Sequence, residues 1–146
     1  PLRYEQPVND LQAKFSLQFG LASILARRRA GLREYTTEYV NSQKIREAMK
    51  KVKTILDPEI ARMGTEKMRS ILEVELKDGR VLTLLADTAR GTPERPLKDY
   101  ELYEKFHECA SFALEKDKID QVFKTARGIE EVPNIKQLTE LLTTGT

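Results

Sequence analysis

A single cysteine, Cys109, and a single histidine, His107, stand among 146 residues, and these two scarcities remove whole classes of chemistry. One cysteine cannot form an internal disulfide, which fits a reducing compartment. One histidine with one soft partner leaves no cluster at zinc spacing, so no metal site is expected. Charge of one sign is lacking too: 25 Lys and Arg against 23 Asp and Glu leave a formal net charge of +2. That balance gives no global electrostatic reason to bind nucleic acid or a membrane surface. No apolar run approaches the roughly 20 residues that cross a bilayer. Pro1 to Asp10 has no charged-then-apolar leader layout, so a cytoplasmic protein is expected. A glycine-rich phosphate loop, a nucleophile elbow and a paired-carboxylate signature are also missing, as are repeats, low-complexity tracts and linkers.

What is present is the composition of one ordinary soluble domain, 40% hydrophobic and 33% charged. A chain of this length buries roughly 70% of the surface it exposes when unfolded, enough for one core without metal or disulfide. Residues 1–146 are therefore read as a single domain. Pro1 to Pro7 has the alternation of an extended segment that continues something upstream. Asn9 with Gln12 three residues later has the layout of a capping box. The apolar stretch behind it, Leu11 to Leu25, predicts one long helix with Gly20 inside it, where another backbone comes close. Arg27, Arg28 and Arg29 suit the negative end of that helix, and Gly31 is the expected left-handed stop. Phe15 and Phe19, four residues apart, are expected in the core.

Short helices are expected around Arg33 to Tyr39 and from Ser42 to about Lys51, the second presenting Ile45, Ala48, Met49 and Val52 on one face. Val52 to Leu56 suits a strand, and Asp57-Pro58 starts a single helical turn that Gly64 ends. The clearest β signal is Met68 to Asp87, where alternating apolar runs flank Asp78-Gly79. A two-residue turn there sets Leu76 opposite Val81, Val74 opposite Thr83 and Leu72 opposite Leu85, one face being covered by helices. Ala89 to Pro96 reads as a loop. Helical periodicity follows from about Lys98 to Leu114, through Ile119, Val122, Phe123 and Ala126 to a stop at Gly128, and again at Ile135, Leu138 and Leu142; Thr143 to Thr146 has the look of a natural end. The expected class is α+β: two layers, a small antiparallel sheet with helices packed on one face.

Candidate binding residues are few. Arg90 and Gly91 lead, because a planar guanidinium clamps a carboxylate with two parallel hydrogen bonds and glycine lets the backbone approach; a solvated arginine in a proline-rich turn is the plain alternative. Lys14 and Ser16 are next, near the start of the first helix, where unpaired N–H groups favour anions. His107, directly after Phe106 in the helix pattern, reads as a surface or boundary residue, and Cys109 as a small apolar packer. The triple arginine with Arg33 lacks the interleaved aromatics of a nucleic-acid surface.

Three stretches in order carry a resemblance: Ala13-Lys14-Phe15-Ser16-Leu17-Gln18-Phe19-Gly20-Leu21-Ala22, then Val74-Glu75-Leu76-Lys77-Asp78-Gly79-Arg80, then Arg90-Gly91-Thr92-Pro93 with Pro96. Lys105-Phe106 with Cys109-Ala110 is a fourth. In this order and spacing the chain resembles the C-terminal half of the MmgE/PrpD family, that of 2-methylcitrate dehydratase. The resemblance implies a two-domain enzyme in which a large helical domain joins a smaller α+β domain that closes one side of a cleft, usually in a homodimer. It implies small di- and tricarboxylate substrates such as 2-methylcitrate, cis-aconitate and iminodisuccinate, and no cofactor. It also implies that the main histidine and lysine acid/base groups lie in the large domain and just ahead of Pro1, so this chain is expected to be a fragment with no catalytic residue of its own. A stand-alone subunit or ligand-binding module is the other reading. Phe19 stands where many members carry a tyrosine, and Arg27 to Arg29 replace a more apolar, glycine-containing ending.

Overall fold

The computed structural model describes residues 2–64 and 69–143. Among these, the elements are α1 (Asp10–Ala13), α2 (Leu17–Arg27), α3 (Thr37–Asn41), α4 (Gln43–Met49), α5 (Pro58–Arg62), β1 (Ser70–Glu75), β2 (Val81–Ala86), α6 (Asp99–Ala110), α7 (Lys116–Arg127), a 3-10 turn (Ile129–Glu131) and α8 (Lys136–Leu142). The fold is thus α+β, helices with one two-stranded antiparallel sheet. The chain forms two compact units, residues 1–54 with 103–146, and residues 55–102; α6 begins in the second and ends in the first. No helix among the described residues is long and apolar enough to cross a membrane.

In the first unit the expected long helix is two helices. The Asn9 side chain accepts the Gln12 N–H at 2.9 Å, and the Gln12 side chain reaches back to the Val8 N–H at 3.0 Å. The turn then tightens, with Phe15 N–H on Gln12 C=O and Ser16 N–H on Ala13 C=O. Ser16 restarts the chain as N-cap of α2, its hydroxyl oxygen accepting the Phe19 N–H at 3.1 Å. A serine that satisfies an orphan donor outcompetes continuation of a helix through it. At the far end the left-handed residue is Arg28, φ 60°, whose N–H reaches Ile24 C=O, and not Gly31. Gly31 leaves room instead for the Glu108 carboxylate, the end of a flexible side chain that occupies the space where a Cβ would stand.

Ala13, Phe19, Ala22, Val40, Ile45 and Met49 form the core, with Ala26, Tyr35, Tyr39 and Ala48 packed against it. Phe19 is the largest fully buried side chain; its ring meets Tyr35 edge-on at 5.1 Å and Tyr39 at 6.1 Å. Burying such a ring stabilises by about 3 kcal/mol. Phe15, four residues earlier, remains 46% exposed, because the break before Ser16 turns it off the core face. α4 presents Ile45, Ala48 and Met49 inward as its spacing demands. On α7, Ile119 and Val122 are buried, Gly128 is the C-cap, and Phe123 packs on Tyr103 and Phe106 of α6.

Residues 52–56, which straddle the boundary between the units, are irregular rather than a strand, with Ile55 88% and Leu56 84% exposed. Asp57 does cap α5, accepting N–H bonds from Glu59 and Ile60, and Gly64 follows at φ +70°. The hairpin exists, but its turn has three residues. Leu76 pairs with Arg80 around Lys77-Asp78-Gly79, and only Gly79 takes positive φ, +83°. A type I turn closed by a left-handed glycine accommodates Asp-Gly as well as a two-residue turn does. The register accordingly moves by one: Leu72 faces Leu84, Val74 faces Leu82, and Glu73 faces Thr83. Apolar residues are thereby shared between both faces; every β2 residue is exposed, and in β1 only Val74 is half-buried. Met68, the expected first hairpin residue, and the final Thr144 to Thr146 lie outside the described residues. Beyond the strands, the last helical stretches begin and end within a few residues of their expected positions, α6 stopping at Ala110 rather than Leu114.

Candidate functional site

The Arg90 loop begins where β2 ends. Arg69 and Asp87 form a two-pronged ion pair, Nε to Oδ1 at 2.5 Å and Nη2 to Oδ2 at 2.7 Å, which closes the open end of the hairpin. Hydrogen bonding to Asp87 also raises the Arg69 pKa. The chain then folds on itself: Gly91 N–H reaches Arg95 C=O at 2.7 Å, Arg95 N–H reaches Thr92 C=O at 3.0 Å, and Thr92 pairs with Arg95 as an isolated bridge. Gly91 has φ +95°, a conformation that side chains resist, so the turn itself demands glycine. The Thr92 hydroxyl is buried inside the loop without a hydrogen-bond partner.

Arg90 is 63% exposed and donates from Nη1 to Glu101 Oε1 at 3.1 Å. The other Glu101 oxygen accepts at 2.9 Å the N–H of Lys98, the residue immediately before α6. Glu101 therefore holds two things at once, the helix start and the guanidinium. An incoming carboxylate would meet a cation that is oriented and partly neutralised, with its remaining N–H edges in solvent. Glu101 is the residue that sequence reading missed here; the spacing Lys98-x-x-Glu101, that of a helix-start carboxylate, was its available signal.

Lys14 and Ser16 occupy the junction of α1 and α2 in the first unit. Lys14 is exposed; it is the C-cap of α1 and stands two residues before Ser16, the N-cap of α2. Ser16 is buried, and its oxygen is used on Phe19 N–H. The expected free donors at this point are thus partly consumed by the break between the helices. Lys14 and Ser16 lie in one unit, Arg90 and Gly91 in the other.

His107 is half-buried on α6 with its ring 5.7 Å from Tyr103. Cys109 is exposed, off the apolar stripe that was expected to hold it, because α6 turns Phe106 and Ala110 inward instead. Among the described residues no group of three or more His, Cys, Asp or Glu side chains could hold a metal ion.

The arginine cluster after α2 resolves into separate roles. Glu34, its side chain 3% exposed, accepts the Gly31 N–H at 2.9 Å and pairs with Arg29 at 3.2 Å and Arg27 at 3.5 Å. Arg29 also donates to Glu108 at 2.6 Å; that hydrogen bond, then attraction to Glu34, raises the Arg29 pKa. No signal in the sequence marks Glu34 as buried, since only the folded loop encloses it.

The profile of the MmgE/PrpD C-terminal domain matches residues 2–127. Cis-aconitate decarboxylase of Homo sapiens is 27% identical over 136 residues, covering 93% of this chain and 28% of that protein. Cis-aconitate decarboxylase of Mus musculus is 26% identical over the same shares. The chain spans somewhat over a quarter of the length of these relatives. From Leu2 to Arg127, through the capped helices, the hairpin and the Arg90 loop, this chain belongs to the MmgE/PrpD family as its C-terminal domain.

Proposed function

We propose that this chain is the C-terminal domain of a lyase- or isomerase-type enzyme acting on a small di- or tricarboxylate, 2-methylcitrate, cis-aconitate or a similar acid. In this reading it supplies cleft wall and domain contacts rather than the catalytic base. The observation that carries it is the alignment along 93% of the chain with proteins named for decarboxylation of cis-aconitate. Chemistry beside a carboxylate needs several titratable groups around the ligand, and this chain has one histidine, which stacks near a tyrosine. Arg90 on its glycine turn is the wall residue, with Lys14 and Ser16 secondary. The partner is a large helical domain, in the same polypeptide or a separate chain, and the assembly is a homodimer working in the cytoplasm without a cofactor. Domain contact has a suitable surface: Leu17, Ile24 and Leu25 are exposed on α2 and Leu21 is half-buried, at the spacing of one helical stripe.

Mixing this chain with the large helical domain of a family member tests the proposal. Turnover of cis-aconitate or 2-methylcitrate is expected on mixing and not from either part alone. In the restored enzyme Arg90→Ala is expected to raise KM roughly tenfold, the worth of one charge-assisted hydrogen bond. Absence of association and turnover would leave the non-catalytic module as the better account.

A further inference from the structure

We propose a binding site for a small polyanion, carrying two or three negative charges, in the groove between the end of α2 and the start of α4. Its lining comes from residues 26–44, and it is independent of the family reading. The groove is open to solvent and has a volume of about 510 Å³. Arg27, Arg33 and Lys44 reach it from three different segments, together with Thr36, and Glu38 is the one carboxylate that lines it. The chain as a whole is almost charge-balanced, so three cations against one anion is a local asymmetry.

The cations differ in how they are held. Arg27 is positioned from two sides, its guanidinium lying 4.1 Å from the centre of the Tyr39 ring and 3.5 Å from Glu34. Glu34 offsets part of its charge from beneath the surface. Arg33 and Lys44 form no ion pair among the described residues. Arg33 makes only a long contact to the Ser111 hydroxyl, 3.5 Å, and lies 5.9 Å from the Phe112 ring. Its neighbour Arg29, by contrast, is tied to two carboxylates. Arg29 is thus tied to two carboxylates and Arg27 to one, while Arg33 and Lys44 carry the groove's remaining positive charge.

Hydroxyl chemistry points the same way at one position. Thr36 Oγ1 accepts the Tyr39 N–H at 3.2 Å, which leaves its O–H proton to donate outward. Ser42 is different, since its hydroxyl already donates to Tyr39 C=O at 2.8 Å. An ion-paired guanidinium, a second guanidinium without an ion pair among the described residues, an ammonium and one hydroxyl donor suit a compact ligand with several oxygens. That is the shared chemistry of a tricarboxylate and a phosphate, and too small a patch for a nucleic acid.

Calorimetric titration of the full chain at low salt, with citrate in one arm and inorganic phosphate in the other, tests this. Saturable binding is expected in at least one arm, weakening as salt rises; the arm that binds tells which oxygen arrangement fits. The double variant Arg33→Gln with Lys44→Gln is expected to weaken binding roughly tenfold or more, as loss of two charge-assisted contacts implies. Both side chains lie on the surface, and an unchanged circular dichroism spectrum verifies that the variant folds. Lys53→Gln, away from the groove, is expected to leave binding within roughly twofold, as one screened surface charge implies. Absence of saturable binding in both arms overturns the proposal, as does undiminished binding by the double variant. Equal loss in Lys53→Gln also overturns it, by showing a diffuse ion atmosphere rather than a site.

Discussion

Two regions of this molecule have comparable apolar patterning and opposite outcomes. Every buried residue among those described belongs to the helical unit, whereas residues 55–102 contain none. In the helical unit, α2 and α4 each carry an inward stripe, and the stripes meet around Phe19 and Ile45. In the other unit the hairpin distributes Leu72, Val74, Leu82 and Leu84 on one face and Ile71, Val81 and Leu85 on the other. Two strands cannot cover both of their own faces, and an isolated hairpin is only marginally stable. Within the hairpin, the ladder, the Gly79 turn and the Arg69–Asp87 pair join the two strands. Within its own unit, a hydrophobic pattern leads to burial only where two stripes meet, as those of α2 and α4 do.

The largest expected effect tests the core side of that contrast. Phe19→Ala should destabilise the helical unit by about 3–5 kcal/mol in denaturant unfolding, while leaving hydrogen exchange of the β1–β2 amides nearly unchanged. Equal acceleration in the hairpin would show that the two regions unfold as one. Next, Gly79→Ala should cost about 1–2 kcal/mol, the strain of a left-handed alanine, and its exchange effects should concentrate in the hairpin amides. A smaller loss, about 1 kcal/mol, is expected for Ser16→Ala, which removes the α2 N-cap; a neutral result would mean that α1 and α2 can merge into one helix.

The smallest effect is in pH dependence. Tyr103 donates to Asp120 at 2.6 Å, and this hydrogen bond raises its pKa above the ordinary phenol value. A raised folded-state pKa means that the contribution is complete below about pH 10, where the unfolded phenol is still protonated, and is lost as pH climbs through the folded value. Tyr103→Phe should therefore lose less stability on that climb than the parent protein. Tyr35, whose pKa is raised by burial, is common to both and cancels in the comparison. Identical alkaline profiles would remove the proposed role of the Tyr103–Asp120 bond.

Much of the architecture is legible in the sequence. The cap at Asn9, the Asp57-Pro58 start, the Gly128 stop, the inward face of α4 and the presence of the hairpin all follow from bonds made within a few residues. The failures share a cause. Ser16 can act as helix interior or as cap, Asp78-Gly79 fits a two- or a three-residue turn, and 52–56 has strand composition without a strand to pair with. At the candidate sites, Gly91 and Arg90 were visible as residue types, but Glu101 on Arg90 and Glu34 between two arginines were not.

By itself the sequence determined the helix-forming segments, the turn residues, the family and the poverty of acid/base groups, because each is a matter of residue type and short spacing. Tertiary structure alone decided the hairpin register, the loss of Phe15 from the core, and which arginines are neutralised and which keep their charge. Those outcomes turn on distances between residues far apart in the chain, where a shift of a few ångströms exchanges solvent for a carboxylate.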